Sequence, residues 1–127
     1  MSYLIDTNWV ISFLNGKADA VGLLGNLANE GIAISIITWG EIYEGLLSAS
    51  SQQHRLAQFE SFVATVDLLT LNTDVAQQYG TIRSHLRLQG LLIPDNDIWI
   101  AATALAYNYT LVSQDKHFSR VPNLTLY

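Results

Sequence analysis

Short apolar runs alternate with longer amphipathic segments along this chain, and the alternation predicts strands separated by helices. Residues 3–5, 32–36, 66–71 and 110–112 are apolar runs of strand length, and residues 124–126 form a last one. Apolar strands that alternate with helices are typical of a parallel sheet covered by helices on both faces. We therefore expect an α/β fold built on such a sheet.

The segments between these strands carry apolar residues at helical spacing. The clearest is residues 95–107, where Ile98, Ala101 and Leu105 fall on one face of a helix. The remaining helices are expected at residues 7–14, 18–29, 39–47, 52–64 and 73–89. Asn15-Gly16 and Gly31 supply stop signals after the first two of them.

The composition is that of a folded protein, and the length fits a single domain covering residues 1–127. Half of the residues are hydrophobic and 13% are charged, which is enough apolar surface for a core. The absence of cysteine excludes disulfides, thiolate metal ligands and cysteine nucleophiles. The N-terminus lacks the pattern of a signal peptide, and the apolar stretch at residues 98–107 is too short to span a bilayer. We expect a cytoplasmic protein without a membrane partner.

Four acidic residues fall where a parallel sheet would bring them together. Asp6 directly follows the first predicted strand, and Glu41 lies in the early turns of the helix after the second. Asp97 is in the first turn of the 95–107 helix, and Asp115 follows the strand at residues 110–112. Ligands of open parallel sheets bind beyond the carboxyl ends of the strands. We therefore expect these four side chains to project over one edge of the sheet.

A cluster of carboxylates requires a cation. Like charges held together repel and raise one another's pKa values, so a fold would not keep such a cluster for stability. Ligands that are all oxygen, with no cysteine and no well-placed histidine, suit Mg²⁺ or Mn²⁺ rather than Zn²⁺. Such cations activate water and neutralise charge on a phosphodiester. The pattern favours metal-dependent attack on a phosphodiester.

Each acidic residue also has an ordinary structural interpretation when taken alone. Asp6 could be an N-cap, and Asp95 or Asn96 could cap the helix that holds the third acid. Glu41 could be a solvated side chain, and Asp115 a turn residue. The joint placement of the four acids is what favours a site.

Four blocks of the sequence stand in the order and spacing of a known family. The blocks are Tyr3-Leu4-Ile5-Asp6-Thr7-Asn8, Ser35-Ile36-Ile37-Thr38-Trp39-Gly40-Glu41-Ile42, Ile93-Pro94-Asp95-Asn96-Asp97-Ile98-Trp99-Ile100-Ala101-Ala102, and Leu111-Val112-Ser113-Gln114-Asp115-Lys116-His117-Phe118 continued by Arg120-Val121-Pro122-Asn123-Leu124. They resemble the PIN-domain family, and specifically the VapC-type toxins of prokaryotic toxin–antitoxin pairs. The resemblance covers essentially the whole chain.

The resemblance implies a three-layer α/β/α sandwich with a central parallel sheet and an endoribonuclease that depends on Mg²⁺ or Mn²⁺. It also implies a homodimer, and inhibition by a cognate antitoxin whose C-terminal segment lies over the acidic pocket. Hydrolysis of RNA by a metal-activated water would leave a 5′-phosphate and a 3′-hydroxyl and needs no 2′-hydroxyl. The catalytic and metal-binding residues carried over from the family are Asp6, Glu41, Asp97 and Asp115, the last directly or through water.

Other polar residues in these blocks carry weaker expectations. Thr7, Asn8 and Ser113 are expected to hydrogen-bond the carboxylates, and Asp95 is either an additional acid near the site or a helix cap. The histidines do not adjoin the first three blocks, so we expect surface or packing roles for His54, His85 and His117. Packing or dimer contacts are expected for Trp9, Trp39 and Trp99.

The formal net charge of −5 argues against a nucleic-acid partner, because phosphate binding usually needs a basic face. Without the four proposed site acids, however, the remaining charge is −1, and two divalent ions would cancel those acids. Arg83 and Arg87 lie four apart and could meet a phosphate backbone or be solvated, and Lys116 adjoins Asp115. We expect weak, salt-sensitive RNA binding with few phosphate contacts.

Several other classes of protein fit the sequence less well. A catalytically inactive PIN-like module that only binds a partner would not need all four acids. A phosphatase that forms an aspartyl-phosphate at Asp6 usually has a second acid two residues later, where this chain has Asn8. A receiver-type domain needs a phosphoacceptor after the third strand, and Leu71-Asn72 provides none. A dinucleotide-binding module needs glycines in the first turn, which residues 6–9 lack.

Overall fold

A computed structural model describes residues 1–127 and contains a four-stranded parallel sheet. The strands are β1 Tyr3–Ile5, β2 Ile32–Ser35, β3 Asp67–Leu69 and β4 Thr110–Val112. Their order is β3-β2-β1-β4, and each neighbouring pair is parallel. All four strands therefore end at the same edge of the sheet, which is the arrangement that the sequence predicted.

Six α-helices cover the sheet, and a 3₁₀ helix at Lys116–Arg120 follows β4. The α-helices are α1 Thr7–Leu14, α2 Ala18–Ala28, α3 Ile36–Leu47, α4 Gln52–Val63, α5 Thr73–Leu88 and α6 Asp95–Tyr107. Buried side chains of α1 to α4 form one apolar cluster with the sheet, and those of α5 and α6 form a second. The three-layer α/β/α sandwich implied by the resemblance is confirmed. No helix combines the length and apolar character that a membrane crossing requires.

The short strand β1 serves both apolar clusters because its side chains alternate between the two faces of the sheet. Leu4 packs with α5 and α6, while Tyr3 and Ile5 pack with the helices of the other layer. All three side chains are buried. A strand buried on both faces must be apolar at every position, which explains the uninterrupted run in the sequence.

Side-chain caps fix where two of the helices at the carboxyl edge begin. Asp6 precedes α1, and its Oδ1 accepts a hydrogen bond from the backbone N–H of Thr7 at 2.8 Å. Ser35 ends β2 and precedes α3, and its Oγ accepts from the backbone N–H of Thr38 at 3.0 Å. Each cap satisfies a backbone donor that the first turn of a helix leaves free. The chain thus turns from strand to helix without a loop at both positions.

Two predicted strands differ from the structure by more than one residue. The predicted strand at residues 66–71 is shorter, because only Asp67–Leu69 pair with β2. The strand predicted at residues 124–126 is wrong, because only Leu126 forms a bridge, with Leu111 of β4. The chain reaches this point through a turn in which Asn123 adopts a left-handed backbone, with φ of 66°. Too few residues then align with β4 to form a ladder.

The packing of α5 predicts different costs for truncating two of its leucines. Leu86 is fully buried against the sheet, whereas Leu88 is 83% exposed. Leu86→Ala should lower the free energy of unfolding by about 2–5 kcal/mol, because it removes buried methyl groups and leaves a cavity. Leu88→Ala should change it by less than about 0.5 kcal/mol. Urea unfolding of both variants measures the difference, and equal costs would contradict this packing.

Candidate active site

The four predicted acids lie at the carboxyl edge of the sheet, each held by a different element. Asp6 follows β1, Glu41 lies in the second turn of α3, and Asp97 lies in the first turn of α6. Asp115 lies between β4 and the 3₁₀ helix. The charges of the other three acids all act on Asp97, so the four side chains share one electrostatic environment. The structure brings together residues that are up to 109 positions apart in the sequence.

Asp6 is the most deeply buried of the four, and both of its carboxylate oxygens are hydrogen-bonded. Its residue exposure is 6%. Ser113 donates from Oγ to Oδ2 at 2.7 Å, in addition to the bond that Thr7 donates to Oδ1. Ser113 Oγ also accepts from the backbone N–H of Asp115 at 3.0 Å, which ties the segment after β4 to Asp6. Asp6 therefore acts as a helix cap and is also part of the acidic edge, the carboxyl edge of the sheet that carries Asp6, Glu41, Asp97 and Asp115.

Glu41 is hydrogen-bonded by its neighbours and is not the freely solvated side chain of the ordinary interpretation. Thr7 donates from Oγ1 to Oε1 at 2.7 Å, and Asn96 donates from Nδ2 to Oε2 at 3.5 Å. Thr7 Oγ1 also lies 3.0 Å from Thr38 Oγ1, and because its single proton goes to Glu41, Thr38 is the donor in that contact. The hydrogen bonds predicted for Thr7 and Ser113 are confirmed. No such bond forms at Asn8, which is exposed.

Burial raises the pKa of Asp6 and of Asp97 above the usual range for aspartate. At Asp6, the hydrogen bonds from Ser113 and Thr7 oppose this rise, and the charges of Glu41 and Asp115 add to it. At Asp97, the nearby His117 opposes the rise, while the other three acids add to it. Without a cation, both carboxylates therefore hold a proton more tightly than an exposed aspartate does.

His117 lies between two of the acids, and this contradicts the surface or packing role that the sequence predicted. Its Nε2 is 2.8 Å from Asp97 Oδ2, and its Nδ1 is 3.3 Å from Asp115 Oδ1. The 3₁₀ helix after β4 turns this side chain back toward α6. The expectation of no well-placed histidine was therefore wrong. The available signal was that His117 lies two residues after Asp115, inside the fourth block.

Asp95 is neither a helix cap nor a member of the cluster. The N-cap of α6 is Pro94, which has no side-chain cap hydrogen bond, and this also removes Asn96 from that role. Asp95 Oδ1 instead accepts from Arg83 Nε at 3.1 Å and from the hydroxyl of Tyr79 at 3.3 Å. Arg83 is therefore held by an acid of its own chain, which leaves it less free to meet a phosphate backbone.

The residues present fit a divalent cation, with oxygen ligands in the majority. One ligand atom each from Asp97, Asp115 and His117 falls within 4.8 Å of the other two. Asp6 lies outside this group of three, but its charge acts on Asp97 and its two hydrogen bonds leave lone pairs free. A cation in this position would favour the charged form of carboxylates whose pKa values burial raises. Carboxylate-rich ligand sets of this kind are typical of Mg²⁺ and Mn²⁺.

A family model described as "PIN domain" matches residues 3–124, and the chain belongs to that family. "Ribonuclease VapC2" of Rickettsia felis is 32% identical over 131 aligned positions, covering 99% of this chain and 96% of that protein. "Ribonuclease VapC1" of Haemophilus influenzae strain R2866 is 30% identical over 129 positions, covering 98% and 95%. The resemblance seen in the four sequence blocks is thus confirmed.

Solved structures extend the similarity to the fold. A crystal structure of VapBC2 from Rickettsia felis bound to a DNA fragment from the promoter contains a chain with a TM-score of 0.93 and 31% identity, covering 100% of this chain and 98% of its own length. In DNA-bound VapBC from Salmonella typhimurium, the matching chain has a TM-score of 0.92 and 26% identity, with 100% and 97% covered. Both comparisons span the whole sheet and all of its helices.

The raised pKa values predict how the stability of the metal-free protein depends on pH. The folded state binds protons at Asp6 and Asp97 more tightly than the unfolded chain does. The free energy of unfolding in EDTA should therefore fall as pH rises from about 4 through the raised folded values, and this loss should end above them.

Asp97→Asn should make the free energy of unfolding fall less steeply with pH, because an amide carries no charge at any of these pH values. Urea unfolding in EDTA at several pH values measures this dependence, with Glu60→Gln on the exposed side of α4 as the matched control. Adding Mg²⁺ or Mn²⁺ at neutral pH should stabilise the wild type more than Asp97→Asn. A fall as steep in Asp97→Asn as in the wild type would contradict the assignment of the effect to this edge.

Proposed function

We propose that this chain is a metal-dependent endoribonuclease of the VapC type, the toxin of a toxin–antitoxin pair. The observation that carries the proposal is the gathering of four carboxylates at one edge of the sheet, with Asp6 buried and hydrogen-bonded at its centre. Relatives that align over nearly the full chain are named as ribonucleases, which supports RNA as the substrate. We also propose that residues 1–127 form a single nuclease domain, because both apolar clusters pack against the same sheet.

The proposed catalytic and metal-binding residues are Asp6, Glu41, Asp97 and Asp115. A bound Mg²⁺ or Mn²⁺ would activate a water molecule and neutralise charge developing on the phosphate. The chain's own contribution is to hold the carboxylates in place: Ser113 orients Asp6, and Thr7 orients Glu41. Because Asp6 and Thr7 are adjacent at the start of α1, a single strand-to-helix turn positions two of the four acids.

Few basic side chains are free to bind the RNA backbone near this edge. Arg83 is paired with Asp95, and Arg120 Nη1 donates to the backbone carbonyls of Leu91 and Leu92 at 3.3 and 3.4 Å. Lys116 is exposed beside Asp115. We therefore infer weak, salt-sensitive RNA binding, in which a cation held by the proposed acids would supply most of the positive charge for the scissile phosphate.

Cleavage of a labelled, structured RNA tests the proposed activity. The wild type should cut with Mg²⁺ or Mn²⁺ and stop in EDTA, leaving 5′-phosphate and 3′-hydroxyl ends. Asp6→Asn keeps the size and the capping ability of the side chain and removes its charge, so it should lower the cleavage rate by at least about 100-fold. The matched control is Glu60→Gln, an acid on α4 away from the edge, which should cut like the wild type.

The two outcomes separate the proposed function from its main alternative. Loss of cutting in Asp6→Asn with a retained thermal transition would support catalysis at this edge. The same trace activity in the wild type and Asp6→Asn would sink the proposal, and a catalytically inactive partner-binding module would then be favoured.

We propose a cognate antitoxin as the protein partner of this chain. The chain would encounter both the antitoxin and its RNA substrate in the cytoplasm. The matching chains in the Rickettsia felis and Salmonella typhimurium structures come from VapBC assemblies. In this chain, side chains of α1 and α3 that include Ile11, Leu14 and Leu46 line a cavity of about 350 Å³ that reaches Glu41. A segment of the antitoxin bound in that cavity would lie next to the acidic edge, where it would block RNA.

Changing the cavity wall should weaken inhibition without changing cleavage by the free toxin. Ile11 is 41% exposed on α1 at the cavity, and Val21 is 45% exposed on α2 away from it. Ile11→Asp should require at least about tenfold more antitoxin for half-inhibition of RNA cleavage, because it places a charge on an apolar contact surface. Val21→Asp should behave like the wild type. Equal inhibition of both variants would exclude this cavity as the antitoxin site.

A homodimer is also proposed, with the exposed face of α3 as its interface. Trp39 stacks on Tyr43 with 5.1 Å between the ring centroids, and Tyr43 and Leu47 are exposed on the same helix. Aromatic and apolar side chains exposed side by side are typical of protein–protein contacts. A monomeric mass for the isolated chain in light scattering would contradict this proposal.

A further inference from the structure

His117 makes contacts that an ordinary packing or surface histidine does not make. Its ring lies between Asp97 and Asp115, and its side chain is 21% exposed. Nε2 is buried and has no hydrogen-bond partner, although Asp97 Oδ2 is only 2.8 Å away. The two atoms are close, but they do not form a hydrogen bond. A buried nitrogen without a hydrogen bond is costly unless another group satisfies it.

The separation of these two atoms matches that of neighbouring ligands on one ion. Octahedral divalent ions bind their ligands at about 2.1 Å, so two ligands at a right angle lie about 3 Å apart. Their lone pairs then point at the ion and not at each other. Asp97 Oδ2 and His117 Nε2 lie 2.8 Å apart and form no hydrogen bond, which fits two neighbouring ligands of one ion.

The other ring nitrogen also lies near a carboxylate, although the two do not form a hydrogen bond in this structure. Nδ1 is 3.3 Å from Asp115 Oδ1. Histidines that bind metals usually direct their second nitrogen toward a carboxylate or carbonyl, which fixes the tautomer and the ring orientation. One Asp115 oxygen can take this role and leave the other for the cation. The backbone N–H of Asp115 is itself fixed by Ser113, so the arrangement is connected to Asp6.

We propose that His117 binds the catalytic cation through Nε2, beside Asp97, and makes the site selective for Mn²⁺ over Mg²⁺. This inference rests on the proposed function, because it assigns a further ligand to the same metal site. Imidazole nitrogen suits transition metals, whereas Mg²⁺ prefers oxygen ligands alone. An all-carboxylate site would discriminate less between the two ions. His117 is thus the residue that sets the metal preference of this edge.

Pulsed electron paramagnetic resonance of the Mn²⁺-loaded wild type tests the proposal directly. A directly bound imidazole should give ¹⁴N coupling to Mn²⁺, and His117→Gln should remove that coupling. Calorimetric titration should show Mn²⁺ affinity falling by at least about tenfold in His117→Gln, with Mg²⁺ affinity changing by less than about threefold. His85→Gln, at an exposed position of α5, is the matched control and should retain the wild-type spectrum and affinities.

The readouts separate this inference from the proposed function. Mn²⁺ bound by the wild type without ¹⁴N coupling overturns the role of His117 and leaves the carboxylate site intact. Equal losses of Mn²⁺ and Mg²⁺ affinity in His117→Gln overturn the metal preference and indicate a structural role. No binding of either ion overturns both proposals. The wild-type spectrum decides the direct contact even if His117→Gln does not fold, and Mn²⁺ titration of His117→Asn provides a second variant.

Discussion

The parallel alignment of β1 between β2 and β4 is the constraint on which the acidic edge depends. Because all of these strands end at the same side, the residues that follow them meet there: Asp6 after β1, the start of α3 after β2, and Ser113 after β4. The backbone N–H of Asp6 donates to the carbonyl of Val112 at 3.0 Å, which continues the β1–β4 ladder by one residue into the site. The hydrogen bond from Ser113 to Asp6 follows directly from this register.

The same geometry buries the Asp6 carboxylate, and the surrounding hydroxyl groups only partly offset the loss of its hydration. A carboxylate with 6% exposure loses most of its hydration, and hydrogen bonds from Ser113 and Thr7 return some of it. The Glu41 carboxylate likewise accepts a hydrogen bond from Thr7, whose hydroxyl also contacts that of the buried Thr38. Small hydroxyl side chains suit this role because they donate one hydrogen bond without adding charge. The repulsion among the carboxylates remains, and a bound cation would relieve it.

The sequence predicted the features that depend on local pattern. Apolar periodicity placed every α-helix and the strands β1 to β4 within a few residues. The positions of Asp6, Glu41, Asp97 and Asp115 just after strands or in the early turns of helices predicted their meeting. Features that depend on how separate elements meet were missed. The contact of His117 with Asp97 requires the 3₁₀ helix to turn toward α6, and no periodic pattern encodes that turn.

The pair formed by Asp95 and Arg83 was missed for a similar reason. Spacing on α5 showed that Arg83 and Arg87 share a face, but not which element packs against that face. The first turn of α6 places Asp95 there, so a charge that looked available for RNA is used within the protein. The sequence pattern also predicted a strand at residues 124–126. Pairing there is limited to one bridge because Asn123 adopts a left-handed backbone, and that conformation is a property of the folded turn.

The charge distribution of the folded chain explains how an acidic protein can act on a polyanion. Arg83 and Arg120 are both engaged by acceptors of the protein itself, one by a carboxylate and the other by backbone carbonyls. Under the proposed function, the positive charge that a scissile phosphate requires would then come mainly from a cation held by the carboxylates. Attraction for RNA is in this way concentrated at the point of cleavage and is not spread over a basic surface. The acids that count against RNA in the formal net charge are the same acids that we propose as cation ligands, so under the proposed function net charge alone is a poor guide to the substrate.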